Sequence, residues 1–243
     1  MNYPFLRHNR LVLIDYLPGS SGQLLMRLWA ELDARLMYEN DLIIRQYSIT
    51  AHPASFEIDY DIVIPKKITN WFLDKCQPNS IYDYMNFFEF LGTTMVALDQ
   101  KWTQANRTKF YETPGYQLEN YTVLYGLHSW ERIIPWQEMN DNGCDITIIK
   151  IIPSTPEGSR YQSLRCRACY PIEDKWWDWA ISEFNSNTNA NVIFDFCTLL
   201  ANKDSQSIIN WLSEQLGSNL RQDKIHHAHK ILEQYYDKIV DKL

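Results

Sequence analysis

Leu11–Leu28 reads LVLIDYLPGSSGQLLMRL, and this stretch decides the fold. Its first six residues, Leu11 to Tyr16, form a short, largely apolar run. Such a run has the length and character of a strand buried on both faces of a parallel sheet. Pro18-Gly19-Ser20-Ser21-Gly22 then breaks the chain. Beyond it Leu24, Leu25, Leu28, Trp29 and Leu32 recur at helical spacing, with Arg27, Glu31 and Asp33 between them, which predicts a helix over Ser21 to Met37. A strand, a glycine-containing turn and a helix in that order aim backbone N–H groups and a helix N-terminus at one point. An anion, usually a phosphate, is what such a point binds.

The loop differs from the two commonest phosphate motifs. Gly22 is followed by Gln23 and Leu24, so the lysine and hydroxyl residue of a Walker loop are missing, which argues against ATP or GTP hydrolysis. Gly19 and Gly22 have no third glycine at dinucleotide spacing.

Composition narrows the class further. With 45% hydrophobic and 14% aromatic residues, 243 residues predict one folded α/β domain over 1–243 rather than a disordered chain. Nine Trp and fifteen Tyr exceed the usual needs of such a core, so some are expected to line a cleft or a partner surface. A net charge of −7 without a basic stripe argues against a nucleic-acid partner. No run approaches the roughly 20 apolar residues of a membrane span, and no secretory pattern leads the chain, so a cytoplasmic location without a membrane is expected. The five cysteines include one close pair, Cys166 and Cys169, with no second pair to complete a zinc site; free thiols are expected.

Further along, Asp41–Ser48 reads as a second strand, and the alternation at Phe56, Ile58, Tyr60, Ile62 and Ile64 as an edge or hairpin strand. Lys67–Cys76 reads as a short helix. Ser80 and Asp83 resemble a capping box opening a helix over Ile81–Trp102. Thr103–Asn120 is polar, carries Pro114-Gly115, and reads as a long loop and candidate lid. Tyr121–Leu127 is a strand ending at His128, a candidate base, since ligands of open α/β sheets sit at strand carboxyl ends. Gly143–Ile152 is the most β-like run and is expected to be central. Helices are expected from about Glu157 or Ser159, over Asp174–Phe184, Ser205–Leu216 and Arg221–Lys238, with a strand at Asn191–Phe196 and Gly217 as a C-cap.

The order of these parts resembles the sulfotransferase family. Gly19-Ser20-Ser21-Gly22-Gln23-Leu24-Leu25 is similar to that family's 5′-phosphosulfate loop, one residue shorter. Leu124–His128 with Pro135 stands where the family has strand-Lys-Thr-His and Leu-Pro. Ile146–Ile152 leads into a proline turn and helix where the family has Arg-Asp-Pro and a serine for the 3′-phosphate. Val192–Phe196, Leu199-Leu200 and Trp211–Gly217 resemble its C-terminal pattern. The chain departs at Ser20, where the family often has Lys or Arg, at Gln23-Leu24 in place of a Thr pair, and at Pro153–Pro156 in place of Arg-Asp-Pro.

The resemblance implies a P-loop-like α/β fold, a parallel sheet with helices on both faces, with 48–120 as its variable, acceptor-side region. It implies 3′-phosphoadenosine-5′-phosphosulfate as cofactor, adenosine 3′,5′-bisphosphate as product, and a small-molecule hydroxyl or amine acceptor. Gly19, Ser20, Ser21, Gly22, Gln23 and Leu24 would bind the 5′-phosphate through the loop N–H groups and the Ser20 and Ser21 hydroxyls, with Ser20 as a catalytic residue where the family often has Lys or Arg. Ser159, Arg160 and Ser163 would meet the 3′-phosphate, and His128 would take the acceptor's proton. Two other readings remain open: a non-catalytic nucleotide- or anion-binding protein of the same fold, and an atypical P-loop kinase.

Overall fold

The computed structural model describes residues 3–32, 36–39, 42–45, 48–50, 80–90, 92, 122–127, 134–169, 173–217 and 220–242. Within them a five-stranded sheet runs in the order β4-β5-β1-β6-β7, every neighbouring pair parallel. Its strands are β1 (Arg10–Asp15), β4 (Ser48–Thr50), β5 (Thr122–Leu127), β6 (Asp145–Ile151) and β7 (Val192–Phe194). β1 is central, as its apolar run requires, because a strand flanked and covered on both sides has no face to offer water.

The side-chain period of two sorts β1 between two cores. Leu11 and Leu13, with Ile146 and Ile148 of β6, pack against α1 (Pro4–His8), a helix over 81–90 (α3) and α4 (Trp136–Asp141). Val12 and Ile14, with Ile149 and Ile151, pack against α2 (Gly22–Leu32), α7 (Phe196–Ala201), α8 (Ser205–Leu216) and α9 (Gln222–Lys238). A third cluster joins Leu17 to α5 (Pro156–Cys169) and α6 (Asp174–Ser186) through Cys166, Trp177 and Phe184. The fold is therefore α/β, with helices on both faces of a parallel sheet.

Several boundaries differ from the sequence expectations. The first helix stops at Leu32 instead of Met37, because Leu36–Glu39 (β2) turns back and pairs antiparallel with Leu42–Arg45 (β3) in a separate two-stranded sheet. The expected strand over Asp41–Ser48 is thus split, and only Ser48–Thr50 joins the main sheet. The final strand ends at Phe194, since Asp195 caps a helix that begins at Phe196. Helices α1 and α4 have no counterpart in the sequence pattern. The Ser80–Asp83 capping box is present: the Asp83 carboxylate accepts from the Ser80 N–H at 3.1 Å, and the Asp83 N–H donates to Ser80 Oγ at 3.4 Å. Gly217 ends α8 in the left-handed conformation at φ 72°. The strand expected over 51–66, the helix over 67–76 and the lid over 103–120 lie outside the described residues.

The strand order sets where the sheet's connections diverge. From β1 the chain goes to β4 and β5 on one side, whereas from β6 it goes to β7 on the other. Connections that diverge from two neighbouring strands leave a crevice at their carboxyl ends. Here that place is between the ends of β1 and β6.

Candidate functional site

Two segments meet at this crevice: Tyr16–Leu24 after β1, and Ile152–Pro156 after β6. Gly19 takes φ +93°, and a Cβ on it would stand 2.6 Å from the carbonyl oxygen of Arg165. Only glycine meets both conditions, so α5 can lie directly on the loop. Ser20 is fully buried; its N–H and its hydroxyl both donate to the Leu17 carbonyl, at 2.9 and 2.7 Å. The Cys197 thiol approaches the Ser20 carbonyl at 3.8 Å, and burial keeps that thiol protonated by pushing its pKa well above the ordinary value.

Ser21 adopts φ 68°. A residue with a Cβ gives up about 1–2 kcal/mol in the left-handed region. Its hydroxyl lies 2.9 Å from the Tyr161 hydroxyl and 2.5 Å from that of Tyr235, and the two phenols are 2.6 Å apart. Burial, with Tyr235 beside it, pushes Tyr161 well above the ordinary phenol pKa. The Leu25 N–H donates to the Ser21 carbonyl at 3.2 Å, the first bond of the α2 ladder. The N–H groups of residues 22–24 therefore precede the ladder, where a helix presents its donors and the positive end of its dipole. Gly22 is fixed by packing: a Cβ there would fall 2.1 Å from the Tyr16 ring.

On the β6 side, Thr155 and Pro156 start α5 in the usual order of hydroxyl cap and N1 proline. The Gly158 N–H donates to Thr155 Oγ1 at 3.2 Å. Thr155 Oγ1 also lies 3.0 Å from Thr198 Oγ1. Ser154 Oγ donates to Asp195, which accepts from the Thr198 N–H at 3.3 Å as the cap of α7. A Cβ on Gly158 would meet Thr198 Oγ1 at 2.1 Å, so a glycine permits the close approach of α5 and α7.

Below the crevice lies a buried ion pair. Asp15 and Lys150 are in register on β1 and β6, and their side chains are 0% and 1% exposed. Lys150 Nζ stands 3.5 Å from Asp15 Oδ2 and 4.2 Å from the centre of the Phe184 ring. Burial pulls the amine below its ordinary pKa, and Asp15 offsets part of that shift.

The structure brings Gly19, Ser20, Ser21, Gly22, Gln23 and Leu24 together at the N-terminus of α2. Ser159 and Arg160 are exposed on α5, with the Ser159 hydroxyl donating to the Thr155 carbonyl at 2.9 Å. Ser163 accepts from the Arg167 guanidinium, which also pairs with Asp174 at 2.9 Å and Asp178 at 2.5 Å. Helical spacing puts residues 160, 163 and 167 on one stripe, away from Tyr161, the side chain that reaches the loop. His128 lies outside the described residues. The sequence reading missed Asp15, Lys150, Tyr161 and Tyr235. A charged residue towards the carboxyl end of each of two apolar runs was the available signal for the first pair; the tyrosines left none. Among the described residues no cluster of His, Cys, Asp and Glu could hold a metal ion, and no helix is long and apolar enough to cross a membrane. Compared with protein-family models, curated proteins and solved structures, the chain matches none.

Proposed function

We propose that Gly19–Leu24 is a phosphate-binding loop and that the chain is a sulfotransferase-like protein using 3′-phosphoadenosine-5′-phosphosulfate. The observation that carries the reading is the loop's position. It leaves the central strand where the sheet's connections diverge, passes through two left-handed residues and enters a helix N-terminus. The 5′-phosphate would lie on the N–H groups at the start of α2, and exposed Ser159 and Arg160, with Ser163, would meet the 3′-phosphate. His128 would take the acceptor's proton as the acceptor oxygen or nitrogen attacks sulfur and the bond to the 5′-phosphate breaks, releasing adenosine 3′,5′-bisphosphate. Positioning and charge stabilisation of the leaving phosphate would supply most of the rate.

One observation favours a second reading, that of a nucleotide-binding protein without transfer. The hydroxyls of Ser20 and Ser21 are engaged inside the protein, and the loop carries no Lys or Arg. Calorimetric titration with adenosine 3′,5′-bisphosphate and with ATP and magnesium, on the protein and on Gln23→Glu, tests the shared part. A carboxylate in the first turn suits a helix but repels a bound anion, so the variant should fold and bind at least about tenfold more weakly. Absence of any phosphate ligand, or equal binding by the variant, would refute the loop assignment. Binding of the bisphosphate without sulfuryl transfer to phenol, alcohol or amine acceptors would select the second reading.

A further inference from the structure

We infer that Tyr161 and Tyr235 are positioning residues for the loop: their hydroxyls hold Ser21 left-handed, so that the loop offers an anion its backbone amides and not its serine hydroxyls. This rests on the reading of Gly19–Leu24 as the anion site. Two of three consecutive loop residues are left-handed, and the two are not equivalent. Gly19 takes φ +93° without steric cost, whereas Ser21, at φ 68°, carries a Cβ that opposes it. Something outside the loop must supply the difference.

The three-hydroxyl ring does so. Ser21, Tyr161 and Tyr235 make three mutual contacts of 2.9, 2.5 and 2.6 Å, and three hydroxyl protons suffice for each oxygen to donate once and accept once. All three residues are buried, at 9%, 4% and 3% exposure, so a Ser21 that left the ring would strand phenol groups away from water. The raised pKa of Tyr161 keeps it a donor across the physiological range. Ser20 is equally committed, its hydroxyl donating to Leu17. Both serines thus shape the loop, and the N–H groups at the start of α2 are left for a ligand.

The anchors come from distant parts of the chain, Tyr161 on α5 and Tyr235 on α9. Helix α9 is tied to α2 a second time through Glu31, which pairs with Lys224 at 2.8 Å and His227 at 2.9 Å. The loop's conformation is therefore coupled to the docking of the C-terminal helix.

The test follows amide hydrogen exchange over residues 17–28 without ligand, and affinity for adenosine 3′,5′-bisphosphate by calorimetry. Four proteins are compared: wild type, Ser21→Gly, Tyr161→Phe/Tyr235→Phe, and the triple variant. The double variant should exchange loop amides about tenfold faster and bind about tenfold more weakly, the scale set by the cost of a left-handed Cβ residue. In the Ser21→Gly background the two phenylalanine substitutions should change neither readout, because glycine holds that φ unaided. Tyr235→Phe alone should move both readouts the same way and serves if the double variant does not fold. Unchanged loop exchange in the phenylalanine variants would overturn the inference. So would a change in either readout on adding the phenylalanines to Ser21→Gly, or a Ser21→Gly protein that loses affinity while its loop exchange stays at the wild-type rate, since the hydroxyl would then be a ligand contact. A wild-type protein that shows the exchange pattern but binds no phosphate ligand would sustain the lock and refute the proposed function.

Discussion

Asp15 and Lys150 offer the most quantitative test of the sheet beneath the site. Their charges face each other at 3.5 Å with both side chains out of water. At an effective dielectric constant of about 20 such a pair attracts by roughly 5 kcal/mol, and removing one partner of a buried pair costs about 3–5 kcal/mol. The stranded group can escape by changing its protonation, which bounds the loss. In Lys150→Met, Asp15 can take a proton, at a cost at pH 7 of about 4 kcal/mol from an ordinary carboxylate pKa near 3.9, falling to about 1.5 kcal/mol at pH 5. In Asp15→Asn, Lys150 can lose one, at about 5 kcal/mol at pH 7 from an ordinary pKa near 10.4, and about 2 kcal/mol at pH 9. The two deficits must therefore run oppositely with pH. A carboxyl whose folded pKa is raised loses native stability as pH rises; an amine whose folded pKa is lowered gains it up to its unfolded value. Urea denaturation of both variants and of Asp15→Asn/Lys150→Met at pH 5, 7 and 9 measures this, and the double variant should recover much of the loss. Single variants within about 1 kcal/mol of wild type at pH 7, or deficits with the same pH trend, would refute the argument that the pair is a desolvated ion pair.

Gly19→Ala should lower the midpoint of thermal unfolding by the equivalent of about 2 kcal/mol or more, because its Cβ would meet the Arg165 carbonyl at a φ of +93°. Asp195→Ala should cost about 1–2 kcal/mol in denaturant titrations, since the carboxylate caps α7 and also accepts from Ser154. Burial raises the Glu31 pKa, but bonds from Lys224 and His227 outweigh it and hold the folded value below the ordinary 4.5. Glu31 stabilisation is thus present above the unfolded value and lost as pH falls through the folded one, and Glu31→Gln should flatten the acid limb of a stability–pH curve.

The central strand and its loop were legible in the sequence because their signals are local. An apolar run bounded by Pro18-Gly19 needs no partner to be recognised, and the periodicity of Leu24, Leu25 and Leu28 marks a helix face directly. The same held for β5, β6 and the cap at Gly217. The sequence pattern carries the first helix five residues past Leu32 because Leu36 and Met37 continue an apolar pattern that pairing with Arg45 and Ile44 captures instead. Tertiary pairing overrode local preference there. The short helices α1 and α4 are set by proline starts and distant contacts: the Glu89 carboxylate accepts from the N–H groups of Phe5 and Leu6 at 2.9 and 3.0 Å. A carboxylate 83 residues away leaves no local trace.

The site was legible in its backbone and not in its side chains. Glycines and serines between a strand and a helix announce a tight turn, but where their hydroxyls point is decided by what packs above them. Ser20 turns back on Leu17, and Ser21 is claimed by two tyrosines from helices late in the chain. Even the glycine spacing has two causes. Gly19 answers to the Arg165 carbonyl and Gly22 to the Tyr16 ring, so each would be required whether or not an anion ever lay on the loop. A bulky substitution at Gly22 would disturb Tyr16 first, and lost binding in that variant would say nothing about phosphate. Gln23 is the position that separates the two causes. It is only half-buried and lies in the first turn of α2, where a carboxylate favours the helix and opposes the ligand. Opposite movements of stability and affinity in Gln23→Glu would assign the loop to an anion; a parallel fall in both would assign it to the fold alone.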